Sequence, residues 1–143
     1  MKDKSIRNVF WAMVAFFVLT IGTIFIGNLP AENIVVTNFF LPFIAFFCIL
    51  GIVLIVLTVR KMVTGKDRIF LLLAATAAVG LPVFILLHNL VTALFINLFS
   101  FRADFDEPVF FILAVIVCPL AFLVGAIGSL ALMFKKKSRE LVA

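Results

Sequence analysis

Four long stretches of the chain contain no charged residue. Asp, Glu, Lys and Arg are absent from residues 8–31, 33–59, 69–101 and 108–134. A helix needs about 20 residues to cross a hydrocarbon core roughly 30 Å thick, and each stretch is long enough to do so. The residues do not alternate between apolar and polar, as the strands of membrane barrels do. The pattern therefore predicts an all-α integral membrane protein with a four-helix transmembrane bundle.

The predicted spans make up most of the chain. They cover about residues 8–27, 39–59, 69–89 and 109–134. The connections between them are short, so we expect a single transmembrane domain over residues 1–143, with consecutive helices running up and down across the bilayer. Pro82 lacks the amide hydrogen that an internal helical turn uses, which predicts a kink in the third span.

The third stretch is longer than a bilayer requires. One helix over residues 69–100 would be about 48 Å long, against a core of roughly 30 Å. On a helical wheel its last part has an apolar arc, which contains Leu90, Val91, Leu94, Phe95, Leu98 and Phe101. The mainly polar half includes His88, Asn89, Thr92, Asn97 and Ser100. This division predicts an amphipathic outer extension over residues 90–100.

Basic residues mark one side of the membrane. Eleven of the twelve Lys and Arg residues lie in residues 2–7, 60–68 and 135–139, and only Arg102 lies on the other side. The positive-inside rule therefore predicts that both termini are cytoplasmic. The apolar run of the first span is longer than that of a cleaved secretory signal, so we interpret this span as a retained signal anchor. The expected location is a prokaryotic cytoplasmic membrane.

Composition supports the same conclusion. The 143 residues are 66% hydrophobic and only 13% charged, far from the usual values for soluble domains. The net charge of +5 is divided among three short segments. Such a distribution favours contact with anionic lipid headgroups over binding to nucleic acid. We therefore expect the lipid bilayer as a partner, and no nucleic acid.

Candidate chemistry is concentrated at the outer end of the third span. His88 is the only histidine; Asn89 follows it, and the next connection supplies Asp104, Asp106 and Glu107. These five residues form a candidate outer polar site. An interfacial histidine more commonly satisfies loop backbone or water, and a metal usually requires three or four ligands of defined geometry, so no metal is predicted. Acids followed by proline also predict that the fourth helix starts here.

Small residues recur on the third and fourth spans. The fourth span carries Ala121, Gly125 and Ser129 at intervals of four. The third span carries Ala74, Ala78 and Gly80. Small residues let two helix backbones approach closely, which is a main source of contact energy between helices in lipid. We therefore predict that the third and fourth spans pack tightly.

The spans lack the residues that most membrane chemistry uses. No carboxylate or basic group lies within them to couple ion movement to transport. Cys48 and Cys118 form no Cys-x-x-Cys pair, and isolated cysteines commonly act as small apolar residues. The sequence therefore predicts a non-enzymatic protein without a cofactor. The preferred interpretation is an accessory or scaffold subunit with a membrane protein partner, or a self-associating component.

A second interpretation stays open. The 19 phenylalanines describe a surface that faces lipid or fills a core, but they also suit a wall that receives a hydrophobic ligand. The protein would then be a carrier, channel or binder for a hydrophobic or neutral solute, opening at the outer face near His88 and Asn89. An enzyme that uses His88 and the outer acids is a third and weaker interpretation.

Overall fold

The described part of the protein forms four helical rods. The computed structural model describes residues 3–27, 34–98 and 107–142. Within these ranges the helices are α1 (Lys4–Gly27), α2 (Ile34–Arg60), α3 (Gly65–Leu98), α4 (Pro108–Ile112) and α5 (Cys118–Val142), with a π-helical turn (Leu113–Val117) between the last two. Because α4, the π-helical turn and α5 follow one another without a break, we call them together the fourth rod. The described ranges contain no strand.

Each rod is long and apolar enough to cross a membrane. The qualifying segments are Lys4–Gly22, Pro42–Arg60, Gly65–Leu98 and Pro108–Lys135. This confirms the prediction of a helical chain with four candidate spans. Helices suit lipid because they satisfy their backbone hydrogen bonds internally, where no water is present to do so.

The third rod is one unbroken helix of 34 residues. Pro82 lies inside α3 without ending it. At 1.5 Å per residue the helix is about 51 Å long, which exceeds a hydrocarbon core of roughly 30 Å. The residues predicted as an amphipathic extension are the last part of this same helix as far as Leu98, since residues 83–98 contain no glycine or proline that would end it. Residues 99 and 100 lie outside the described ranges.

The start of α1 lies beside the turn between α2 and α3. One carboxylate oxygen of Asp3 accepts hydrogen bonds from the amides of Ser5 (2.9 Å) and Ile6 (3.3 Å). The other oxygen is 3.3 Å from Nζ of Lys61. Desolvation acts to raise the pKa of Asp3, but the Ile6 amide, the Lys61 ammonium and the Ser5 amide together hold the pKa below its ordinary value. We call this end of the bundle the turn end, and the opposite end, where Glu107 precedes the fourth rod, the Glu107 end.

The central helix of the bundle is α3, which packs against both α2 and the fourth rod. At Gly125, in α5, a Cβ atom would lie 2.6 Å from the amide nitrogen of Ala74 and 2.8 Å from the carbonyl oxygen of Phe70. At Gly51, in α2, a Cβ atom would lie 2.9 Å from the carbonyl oxygen of Ala75. Both glycines therefore bring a neighbouring backbone into direct contact with the backbone of α3.

The small residues of the two predicted stripes occupy different depths. Those that are buried are Ala74, Ala78, Gly125 and Ser129. Ala121 is partly buried and packs against the core. Gly80 lies nearer the Glu107 end, where the position of its missing Cβ is 3.2 Å from Sγ of Cys118. The interface between α3 and the fourth rod therefore extends along both helices rather than at a single crossing point.

Large apolar side chains fill the turn end of the bundle. The side chains without solvent exposure include Ile6, Phe10, Met13 and Leu54. They belong to one cluster with Leu71 of α3 and Phe122 of α5. All four rods contribute to this core, and close packing of this kind is the normal condition of a protein interior. The half of the bundle towards the Glu107 end instead contains a cavity.

Candidate functional site

A polar cluster joins α3 to the start of the fourth rod. Nδ1 of His88 lies 2.7 Å from the carbonyl oxygen of Glu107. Since a carbonyl oxygen only accepts, Nδ1 carries the proton and donates. The amide of Glu107 donates to the hydroxyl of Thr92 at 3.3 Å. Two hydrogen bonds to the main chain of one residue thus fix the beginning of the fourth rod against α3.

The carboxylate of Glu107 caps the fourth rod. Its two oxygens accept hydrogen bonds from the amides of Val109 (2.8 Å) and Phe110 (2.9 Å), and Pro108 occupies the first turn. The prediction that acids followed by proline start this helix is confirmed. One carboxylate oxygen is also 3.7 Å from Nδ1 of His88, with both side chains largely buried. The negative charge is therefore placed at the positive end of a helix dipole, where it is stabilised.

The remaining residues of the predicted outer polar site do not join this cluster in the described ranges. Asn89 is exposed, and its side-chain amide donates to the carbonyl of Ile85 in its own helix at 2.8 Å. Asp104 and Asp106 lie outside the described residues. Among the residues that the structure describes, no three His, Cys, Asp or Glu side chains come together as a metal site would require. A functional role for the outer polar site stays a prediction.

The last part of α3 presents its two arcs to different surroundings. Leu90, Leu94 and Leu98 of the predicted apolar arc are all exposed on the surface of the bundle. His88 and Thr92 of the polar half instead face Glu107. Two residues of the polar half therefore make contacts within the protein, while the three leucines of the apolar arc lie on the outside.

A cavity of about 300 Å³ lies in the half of the bundle towards the Glu107 end. All four rods line it, through Phe17, Thr20, Ile21, Ile44, Phe47, Leu81, Ile85, Ala114, Val115 and Pro119. Thr20 is the single residue of this set with a polar side chain, and its hydroxyl donates to the carbonyl of Phe16 at 2.8 Å. The lining thus offers apolar contact and almost no hydrogen bonding.

The π-helical turn forms one wall of the cavity. The amide of Cys118 donates to the carbonyl of Leu113, five residues earlier, instead of four as in an α-helix. Pro119 explains this change of register, because it has no amide hydrogen and its ring crowds the carbonyl of Val115 in a regular helix. The wider turn places Ala114, Val115 and Pro119 along the cavity. Single π-helical turns of this kind are frequent at functional sites.

Three aromatic rings separate the cavity from the packed turn end. The ring centroids of Phe17 and Phe122 are 4.5 Å apart, and those of Phe47 and Phe122 are 5.2 Å apart. Phe17 and Phe47 line the cavity, while Phe122 lies below it in the core. Towards the other end, Ile85 lines the cavity and His88 follows three residues later, about 4.5 Å along the helix axis. The cavity therefore lies between an aromatic floor and the polar cluster.

The position of the cavity could not be predicted from the sequence, because its lining residues are dispersed among four spans and have no shared spacing. Comparison with protein-family models, with curated proteins and with solved structures finds no match. By its architecture the described part of the chain is a helical bundle with four helices long and apolar enough to cross a membrane, and with an apolar cavity inside one half of the bundle.

Proposed function

We propose that the chain is a non-enzymatic membrane protein that binds a hydrophobic molecule inside its helical bundle. The observation that carries this proposal is the cavity of about 300 Å³ with one hydroxyl among its lining side chains. A smaller apolar cavity of about 150 Å³ stays dry and binds benzene or xenon. Leaving a larger one empty forfeits the dispersion contacts of its walls, so an apolar occupant stabilises the bundle.

The cavity favours the binding interpretation over the accessory subunit that composition alone suggests. Accessory and scaffold proteins need a surface for a partner, and on the side chains that the structure describes the outward faces of the rods are not distinguished from a surface that faces lipid. A binding protein needs an interior site, and the cavity supports one. Binding of a hydrophobic molecule does not require coupled ion movement, which is consistent with the absence of charged residues from the four long stretches that form most of the rods.

We further propose an up-down-up-down arrangement with both termini on the cytoplasmic side of a prokaryotic cell membrane. The ion pair between Asp3 and Lys61 supports it, because the start of α1 then lies on the same side as the turn between α2 and α3. The contacts of His88 and Thr92 with Glu107 support a common side for the end of α3 and the start of the fourth rod. The distribution of basic residues assigns the turn end to the cytoplasm.

The orientation can be tested with single cysteines. In a variant in which Cys48 and Cys118 are replaced by alanine, cysteines at Asn33 and Asp104 are expected to react with a membrane-impermeant maleimide added outside intact cells. A cysteine at Gly65 is expected to react only after the membrane is opened, because the turn end faces the cytoplasm. The reverse labelling pattern would overturn the proposed orientation.

Binding in the cavity can be tested with a small photoactivatable probe. The purified protein in detergent is irradiated with 3-trifluoromethyl-3-phenyldiazirine, and the labelled residues are mapped by mass spectrometry. We expect saturable labelling of Leu81, which lines the cavity. Ala114→Phe fills the cavity and is expected to reduce that labelling about tenfold, the change that a loss of about 1.4 kcal/mol produces.

The control for this experiment uses the same rod. Leu120 is exposed, so Leu120→Phe adds an aromatic ring without entering the cavity and is expected to leave the labelling of Leu81 unchanged. Both variants are compared at equal thermal stability or after correction for the unfolded fraction. Labelling of Leu81 that does not saturate, or that is the same in Ala114→Phe as in the wild type, would count against a binding cavity.

A further inference from the structure

One residue that lines the cavity also forms part of the outer surface of the bundle, in the π-helical turn. Val115 lines the cavity and yet is 52% exposed, so the same side chain contacts both the interior and the surroundings. α1 packs mainly along α2. The ring contact between Phe17 and Phe122 joins α1 to the fourth rod below the cavity. The gap between α1 and the π-helical turn is therefore where an opening of the cavity is expected.

The exposed side chains described on the two sides of this opening are apolar. On α1 the exposed residues near it are Val18 and Leu19, and on the fourth rod they are Ile112 and Ile116. In a chain that crosses a membrane, such a surface is in contact with lipid tails. The opening therefore leads from the hydrocarbon core of the bilayer, and not from water, into the cavity.

The side of the bundle formed by α3 and α4 is closed at the Glu107 end. His88 and Thr92 hold the main chain of Glu107. The rings of Phe84 and Phe110 stack with centroids 6.3 Å apart, and those of His88 and Phe111 lie 5.5 Å apart. A solute that enters along α3 from the aqueous side would have to separate these contacts. The lateral route requires no such separation.

We infer that the occupant is a single hydrocarbon chain of a membrane lipid, which enters sideways between α1 and the π-helical turn. This inference depends on the proposed binding function. A cavity of about 300 Å³ is at the lower limit of ligand pockets, so it holds part of one chain and not a whole lipid. A hydrocarbon chain has no hydrogen-bonding group to leave unsatisfied, and the lining provides almost none. The headgroup and any second chain remain in the bilayer.

The inference is tested in vesicles of phosphatidylcholine that contain a fraction of the same lipid with a diazirine in the middle of one acyl chain. The full-length protein is irradiated and the labelled residues are mapped. Every exposed apolar residue contacts lipid, so the labelling of Leu81 in the cavity is expressed relative to that of Leu86, which is 69% exposed on the same helix. We expect clear labelling of Leu81 in the wild type.

A substitution at the opening distinguishes entry of the lipid chain into the cavity from contact of lipid with the outer surface. Val115→Trp narrows the opening and is expected to lower the ratio of Leu81 to Leu86 labelling about tenfold. Leu120→Trp, on the lipid side of the same rod, is expected to leave the ratio unchanged. If Val115→Trp proves unstable, Ala114→Phe, which fills the cavity behind the opening, is expected to have the same effect.

The outcomes distinguish this inference from the binding function. Saturable labelling of Leu81 by the small diazirine probe, together with no labelling by the lipid, would retain a binding cavity and overturn the lipid chain as its occupant. Equal lipid labelling of Leu81 in the wild type, Val115→Trp and Ala114→Phe would overturn lateral entry. Failure of both probes to reach Leu81 would overturn the binding function itself.

Discussion

Substitution of Gly125 by alanine is expected to destabilise the folded protein by about 3 kcal/mol, in the upper part of the usual range for overpacking. The new Cβ would lie 2.6 Å from the amide nitrogen of Ala74 and 2.8 Å from the carbonyl oxygen of Phe70. Both are main-chain atoms, so no side-chain rotation relieves the contact, and α3 and α5 must move apart. Dispersion between closely packed helices holds a bundle together in lipid, and the separation weakens it.

Gly22 provides a matched control for this substitution. A Cβ at Gly22 would meet no atom within 4 Å. Gly22→Ala is therefore expected to change the free energy of unfolding by less than about 1 kcal/mol, the size of the difference in helix propensity between the two residues. Both variants are unfolded by denaturant in the same detergent and followed by far-UV circular dichroism. Equal stability of the two variants would contradict the close approach of α3 and α5.

The number and type of the spans were predictable because lipid imposes them. A backbone in hydrocarbon must satisfy its hydrogen bonds internally, so a long uncharged stretch such as residues 43–57 has few alternatives to a helix. The sequence did not determine where α3 ends. A helix that is longer than the hydrocarbon core is thick can either break or continue beyond the core. The helix α3 continues through Pro82 to Leu98.

The close approaches between helices were only partly predictable. Gly125 stands in a stripe with Ala121 and Ser129, which indicated a packing face. Gly51 makes a comparable approach to the carbonyl oxygen of Ala75, but the residues four before and four after it are Phe47 and Ile55. A glycine between large residues gives no stripe. Only the arrangement of α2 relative to α3 reveals that the Cα hydrogen of Gly51 faces the backbone of α3.

The site illustrates a similar limit. His88 lies near the end of one predicted span and Glu107 just before the next, so their proximity followed from the order of the helices. That order did not predict which atoms make the contact. His88 donates to the main chain of Glu107, while the carboxylate of Glu107 caps its own helix. The cavity was beyond prediction for a different reason. Its walls, such as Ile44 and Leu81, are ordinary apolar residues, and an empty volume depends on how all four rods fit together.

Substitution of Glu107 by alanine is expected to cost about 2 kcal/mol of stability, at the upper end of the range for a helix cap. The change removes the acceptors for the amides of Val109 and Phe110 and the negative charge at the positive end of the helix dipole. The bonds from His88 and to Thr92 use main-chain atoms of residue 107, so the variant retains them. The cap is therefore tested separately from the contact between α3 and the fourth rod.

Two comparisons identify the physical origin of this loss. Glu107→Gln keeps one carbonyl acceptor but removes the charge, and is expected to cost about half as much as alanine, since hydrogen bonds to charged groups are the stronger ones. Asp3→Ala removes the cap of α1, which is more exposed to water, and is expected to cost about 1 kcal/mol or less. Hydrogen exchange should accelerate at Val109 and Phe110 in Glu107→Ala and remain slow in the rest of the fourth rod. Faster exchange throughout α5 would indicate that Glu107 instead holds the whole rod in place, and a loss no larger than that of Asp3→Ala would show that burial adds nothing to the cap.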